Sequence, residues 1–247
     1  MFHPLNINYP EINTSTNLRL FCFPYAGGNS YIFRSWRDRL SQTVEICPIE
    51  LPGRGIKMKS TPLDRIEPLV KEIALEIRPY LDKPFAFFGH SMGALISFEL
   101  AHFIRRQYNL EPAHLFVSGR RAPQTKDLRA PLHHLPEADF LEELRQLNGT
   151  SEEILNNREL MSLLTPILRA DFAVLETYVY VSQAKLNCPI SVFGGLQDKE
   201  VSIEQLEAWQ EQTNNTFCLK MFSGDHFFID SSRSFISELK QQLNVYH

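Results

Sequence analysis

The chain has 247 residues and a formal net charge of −4, with no basic stripe, so nucleic-acid binding has no electrostatic support. That length is enough for one large α/β domain or two small ones, and without an uncharged apolar stretch of about 18 residues no membrane span is expected. The start, Met1-Phe2-His3-Pro4-Leu5-Asn6, lacks a basic n-region and an apolar h-region, and Cys22, Cys47, Cys188 and Cys218 form no Cys-x-x-Cys pair or zinc-spaced cluster, so the expectation is a cytoplasmic protein with buried, reduced thiols and no metal.

The first expected strand covers residues 18–23 and ends at Pro24. A helix is expected over about 30–40, then a second strand over 44–49, closed by the turn Pro52-Gly53. Residues 63–81 have helical periodicity through Leu69, Ile73, Ile77 and Leu81. A third strand spans 84–88, with a helix over 94–101 behind it. Further strands are expected at 114–118, 189–193 and 216–222, with helices at about 203–213 and after Ser231. Such alternation predicts an α/β fold: a mostly parallel central sheet with helices on both faces.

One segment breaks the alternation. From about 120 to 185 no strand is expected. Pro136-Glu137-Ala138-Asp139 opens a helix whose apolar positions are Phe140, Leu141, Leu144 and Leu147, ending at Gly149; Thr150-Ser151-Glu152-Glu153 looks like another start. Thr165-Pro166 reads as an N-cap and first helical residue, dividing 159–164 from a longer helix at 167 to about 181. Ile167, Leu168, Phe172, Val174, Leu175 and Tyr178 give that helix an apolar surface wider than one stripe. The expectation is a helical lid inserted at about 120–185 in a single domain, 1–247. A helical insertion that only pads the sheet edge is the plainer alternative.

Between the third strand and its helix stands Gly89-His90-Ser91-Met92-Gly93. Strand, glycine-flanked serine and helix make a nucleophile elbow, which places Ser91 on a strained turn. A serine needs a base, and the base an orienting acid. Downstream histidines are at 102, 114, 133, 134, 226 and 247; of these His226 lies just past a strand, in Ser223-Gly224-Asp225-His226-Phe227-Phe228, at the sheet edge where sites of open α/β folds form. Among Asp139, Asp171, Asp198 and Asp225, Asp198 keeps acid and base on successive strand ends. The oxyanion hole is expected from the N–H groups of Met92 and of Ala26, in the loop Phe23-Pro24-Tyr25-Ala26-Gly27-Gly28. Those glycines do not form the Gly-x-Gly-x-x-Gly dinucleotide pattern.

Six segments together resemble the stand-alone (type II) thioesterases that accompany non-ribosomal peptide and polyketide synthetases. They are Phe23-Pro24-Tyr25-Ala26-Gly27-Gly28, Leu51-Pro52-Gly53-Arg54, Phe88-Gly89-His90-Ser91-Met92-Gly93-Ala94, Ser118-Gly119-Arg120-Arg121-Ala122-Pro123, Leu168-Arg169-Ala170-Asp171-Phe172 and Gly224-Asp225-His226-Phe227-Phe228. The resemblance implies an α/β-hydrolase fold with a helical lid, hydrolysis of acyl or aminoacyl thioesters from the phosphopantetheine arm of carrier proteins, and a triad at Ser91, Asp198 and His226. It implies no cofactor, since the substrate brings the phosphopantetheine, and carrier domains as partners of a monomer. One departure is Lys199-Glu200, where the family often has proline, which suggests a looser loop after the acid.

Arg120-Arg121 follow a strand at the lid entrance and have two readings: contact with a carrier's acidic face or the pantetheine phosphate, or a salt bridge at the lid base. Other function classes on this fold are a medium-chain fatty acyl carrier thioesterase, a carboxylesterase or lipase, and a non-catalytic binding module. An intact triad argues against the last, and the missing signal against a secreted lipase. The absence of an attached carrier or ketosynthase domain suggests editing rather than terminal release.

Overall fold

The structure, a computed structural model, describes residues 16–40, 44–127 and 129–246; the Met1–Asn6 stretch and His247 lie outside them. Among the described residues six strands form one sheet: β1 (Arg19–Phe23), β2 (Glu45–Pro48), β3 (Phe85–His90), β4 (His114–Ser118), β5 (Ile190–Gly195) and β6 (Phe217–Phe222). Their order is β2-β1-β3-β4-β5-β6, and every pairing is parallel. All residues of β1 to β5 are buried, as their largely apolar runs require of strands covered on both faces.

Nine helices pack around the sheet among these residues: α1 (Arg34–Leu40), α2 (Ile66–Ile77), α3 (Met92–Tyr108), α4 (Glu137–Leu147), α5 (Glu152–Leu155), α6 (Arg158–Glu176), α7 (Ile203–Glu207), α8 (Phe228–Ser231) and α9 (Arg233–Leu243). Successive side chains of a strand point to opposite faces, so β3 feeds both cores. Phe87 packs edge-on to Phe23 at 5.5 Å, in the layer containing Ile73 of α2 and Ile96 of α3. Phe88 meets Trp36 of α1 at 4.7 Å, in the layer shared with Phe235 of α9. Burying each such ring is worth about 1.5–3 kcal/mol.

The chain runs from β1 out to the edge strand β2 and then back to β3, so the strand order reverses between β1 and β3. At such a switch point the loops leaving two adjacent strands diverge and leave a crevice. Phe23 pairs in register with Gly89 there, which sets the 24–28 loop beside Ser91.

The stretch between β4 and β5 is helical, and two boundaries differ from the expectation. Thr165-Pro166 does not start a helix. α6 is continuous through Pro166, and its N-cap is Asn157, whose side chain accepts from the N–H groups of Glu159 and Leu160, both at 3.1 Å. The Thr165 hydroxyl is buried without a hydrogen-bond partner, so it caps nothing. A proline inside a helix costs about 3 kcal/mol; burial of Met161, Ile167, Leu168 and Val174 along the same helix outweighs that local penalty. α6 also stops at Glu176 rather than near 181; beyond it Val179 and Val181 are exposed, while Tyr178 donates to Glu99 at 2.6 Å and Tyr180 packs on the main core. Its two sides serve different cores: Leu168 joins Phe140, Leu144 and Leu155 in a small cluster, while Val174 joins the main one.

The cysteines are free, three buried and Cys218 half-buried. No helix of the described residues is long and apolar enough to cross a membrane.

Candidate active site

β3 ends in a backbone that few residues adopt: Ser91 has φ 53° and ψ −111°. Two constraints hold it there. Its N–H donates to Ser118 O at 2.8 Å, and the flanking glycines leave no space for a side chain. A Cβ on Gly89 would overlap the carbonyl of Gly93, and one on Gly93 would overlap that of Phe23. β3, α3 and β1 therefore meet at one point. Ser91 stands at the N-cap of α3 without capping it through its side chain, and it borders a narrow cavity of about 70 Å³ together with Ala26, Gly119 and His226.

The loops after β5 and β6 bring Asp198 and His226 together. His226 Nδ1 lies 2.9 Å from Asp198 Oδ2, with the Asp198 side chain 2% exposed. Since that nitrogen faces a carboxylate, it carries the ring proton, and Nε2 is left as the acceptor. Gln197 N–H donates to Gly224 O at 2.9 Å, and Gly224 N–H to Gln197 Oε1 at 2.6 Å, so the two loops are joined. A Cβ on Gly195 would overlap Asp225 O, which shows how close the two backbones lie. The loop after the acid is tied rather than loose, because Glu200 N–H donates to Asp198 Oδ1 at 2.7 Å and the Glu200 carboxylate pairs with Arg129.

The other acids and histidines are engaged elsewhere. Asp225 accepts from Phe227 N–H at 2.9 Å, and Asp139 sits in the first turn of α4. Asp171 pairs with Arg54. His102 contacts Arg105 at 3.0 Å, His114 lies between Ser191 and Tyr246, and His133 pairs with Glu176 and lies against the tilted ring of His134.

In the 24–28 loop, Gly27 N–H is taken by Asp171 Oδ2 at 2.7 Å and Gly28 N–H by Tyr25 O at 2.9 Å. Ala26 N–H donates to no described residue, nor does Met92 N–H, which belongs to the first turn of α3 where such groups lack intrahelical acceptors. Both residues adjoin Ser91, Met92 in sequence and Ala26 across the cavity.

The two adjacent arginines divide. Arg121 forms an ion pair with Asp127 at 2.5 Å. Arg120 and Arg121 both border the Ser91 cavity. His90, which no sequence pattern marks, is buried with Nδ1 2.9 Å from Ser118 Oγ and its ring 5.1 Å from that of His226. Burial, then the neighbouring His226, hold its pKa well below the usual histidine range, so it is neutral. The Arg54–Asp171 pair has no sequence signal either: the partners are far apart in the chain, and no local pattern marks them. Among the described residues no cluster of three metal-ligating side chains is present.

With this geometry in place, the likeness to known proteins is informative. The family model for the thioesterase domain matches residues 18–243. The gramicidin S biosynthesis protein GrsT of Aneurinibacillus migulanus is 48% identical over 223 residues, 90% of this chain and 87% of that one. Thioesterase PikA5 of Streptomyces venezuelae is 34% identical over 236 residues, 92% and 83% of the two chains. The solved RedJ thioesterase of the prodiginine pathway in Streptomyces coelicolor superposes with a TM-score of 0.83 at 35% identity, covering 94% of this chain and 87% of that one.

Proposed function

This chain belongs to the thioesterase domain family, an α/β-hydrolase that cleaves thioesters through a serine, of the type II class of non-ribosomal peptide and polyketide pathways, and on that premise we propose that Ser91, His226 and Asp198 are its nucleophile, base and orienting acid. The observation that carries the assignment is the 2.9 Å contact between Asp198 and His226 Nδ1 on the cavity that Ser91 borders.

Ser91 Oγ attacks the thioester carbonyl while His226 Nε2 takes its proton. Asp198 keeps the imidazole in the required tautomer and stabilises the imidazolium that forms. Negative charge develops on the carbonyl oxygen, and the free N–H groups of Met92 and Ala26 receive it. The pantetheine thiol leaves with the proton from His226; a thiol pKa near 8.5 makes it a better leaving group than an alkoxide. Water, deprotonated by His226, then attacks the acyl-serine and releases the acid. Protein groups fill every role, so the reaction as proposed needs no cofactor.

The substrates are acyl or aminoacyl groups on the phosphopantetheine arm of carrier proteins, and the role is editing: removal of stalled or misprimed groups. Residues of about 120–185 act as a lid, a reading supported by α6, whose Leu168 closes onto Gly27 while its far side packs on the main core. A cytoplasmic monomer that binds carrier domains completes the proposal.

The decisive measurement is release of free thiol from an acyl-loaded carrier protein. Ser91→Ala is expected to fold and to lose several orders of magnitude in rate, as triads generally do. Turnover like the wild type in that variant would overturn the assignment. Equal cleavage of oxygen esters and carrier thioesters would favour a carboxylesterase instead.

A further inference from the structure

Four arginines are buried among the described residues. Three hold a carboxylate: Arg19 on Glu45 at 3.0 Å, Arg54 on Asp171 at 2.6 Å and Arg121 on Asp127 at 2.5 Å. The fourth, Arg120, is 7% exposed, yet its guanidinium donates no hydrogen bond to any described residue and has no carboxylate within ion-pair distance. Asp127 acts on it only from farther away and is already engaged by Arg121 and Arg129. Burial, and then Arg121, lower the Arg120 pKa to about 9, which still leaves a cation at neutral pH.

A charge this enclosed is costly without a partner, and its nitrogens, which are not fully sealed from solvent, can be reached by one. Its surroundings show where a partner would enter. Arg120 borders the narrow cavity of Ser91 and His226 and also an adjoining space of about 570 Å³. The preceding residue, Gly119, is so close to the site that a Cβ there would lie 2.7 Å from His90 Cε1 and 3.3 Å from His226 Cε1. The Arg120 Cα is one peptide unit away, about 3.8 Å. This is the reacting end of the substrate, whereas the pantetheine phosphate lies at the opposite, carrier end of the arm.

We propose that Arg120 is a specificity-determining residue that binds an acceptor oxygen of the acyl group beyond the thioester, a keto or carboxylate oxygen, so that oxygenated acyl thioesters are favoured over plain alkyl ones. The inference rests on the thioesterase reading above. A guanidinium suits this task because its planar fork presents several donors to such oxygens at once. Apolar side chains of Leu144, Leu168 and Phe172 line the same cavity and accommodate the rest of the chain.

The test compares acetoacetyl and butyryl thioesters, which have equal chain lengths and differ by one oxygen, in wild type and in Arg120→Met. Each acyl group is presented on N-acetylcysteamine, which has no phosphate, and on phosphopantetheine. The expected result is that the acetoacetyl-to-butyryl ratio of kcat/KM falls at least tenfold in the variant on both carriers. The variant is also expected to melt no lower than wild type, because an uncompensated buried charge has been removed. An equal loss on both acyl groups would overturn the proposal. So would a loss confined to phosphopantetheine substrates, which would make the phosphate the ligand. Failure of Arg120→Met to fold, or a lowered Tm, would make Arg120 a structural cation instead. Absence of wild-type turnover on all four thioesters would overturn the thioesterase reading itself and this proposal with it.

Discussion

Arg54 and Asp171 grip each other through two parallel hydrogen bonds of 2.6 and 2.7 Å across 117 residues of sequence. Their side chains are 7% and 2% exposed. The same carboxylate accepts Gly27 N–H at 2.7 Å, and Arg54 also donates to Gly28 O at 3.1 Å. One buried ion pair thus binds helix α6 to the loop that contains Ala26.

Removing one partner from this pair strands the other. Asp171→Leu is expected to cost about 3–5 kcal/mol, whereas Arg54→Met combined with Asp171→Leu recovers much of that loss. Both proteins are expected to lose kcat, because Gly27 N–H has lost the acceptor that holds the 24–28 loop. Urea unfolding with parallel kinetics decides the matter. A double variant no more stable than the single one would contradict this account.

The backbone of Ser91, at φ 53° and ψ −111°, stores strain, as expected of the nucleophile proposed there. Glycine tolerates positive φ, so Ser91→Gly is expected to be about 1–3 kcal/mol more stable than Ser91→Ala, with both inactive. Melting curves for the two variants give the comparison; equal stabilities would show that the turn is unstrained.

Gly195 keeps the loop of Asp198 against the loop of His226, and an added Cβ would overlap Asp225 O. Gly195→Ala is therefore expected to shift His226 away from Asp198 and to lower kcat by at least about tenfold, since small misplacements in a catalytic site are costly. The downfield proton resonance of His226 Nδ1–H should shift or vanish in the same protein. Retention of both wild-type kcat and that resonance would refute the coupling of the two loops.

Burial lowers the His114 pKa from 6.5 to about 4. The ring lies 2.8 Å from Ser191 Oγ and 2.9 Å from Tyr246 Oη, stacked on Phe116. The folded protein holds it neutral, while the unfolded chain takes up its proton below about pH 6.5. Its stabilising effect is thus present above the unfolded pKa and is lost as pH falls toward 4, on the order of 3 kcal/mol at most. Unfolding free energies measured across that interval should fall less steeply in His114→Gln. Parallel slopes would mean that other groups govern the acid limb.

Much of this architecture was legible in the amino-acid order. Unbroken apolar runs such as Leu-Phe-Cys-Phe and Phe-Ala-Phe-Phe mark β1 and β3, because a strand buried on both faces has no polar side to show. Gly89 and Gly93 announced a turn too tight for side chains, which the overlapping Cβ positions explain. The course of α6 through Pro166 is not legible in the sequence, since local propensity sees the missing N–H of proline but not the two cores that hold the helix through it.

By itself, then, the sequence determined what is local: the strands in chain order, the elbow around Ser91, and the strand-end positions of Asp198 and His226. Only the tertiary structure decided which strands are neighbours, that Asp171 reaches Arg54, and that Arg121 finds Asp127 while Arg120 beside it finds no carboxylate. The reason is physical. Periodicity and turn chemistry act over a few residues, whereas the pairing of a buried charge depends on which distant groups the packed core brings within hydrogen-bond reach.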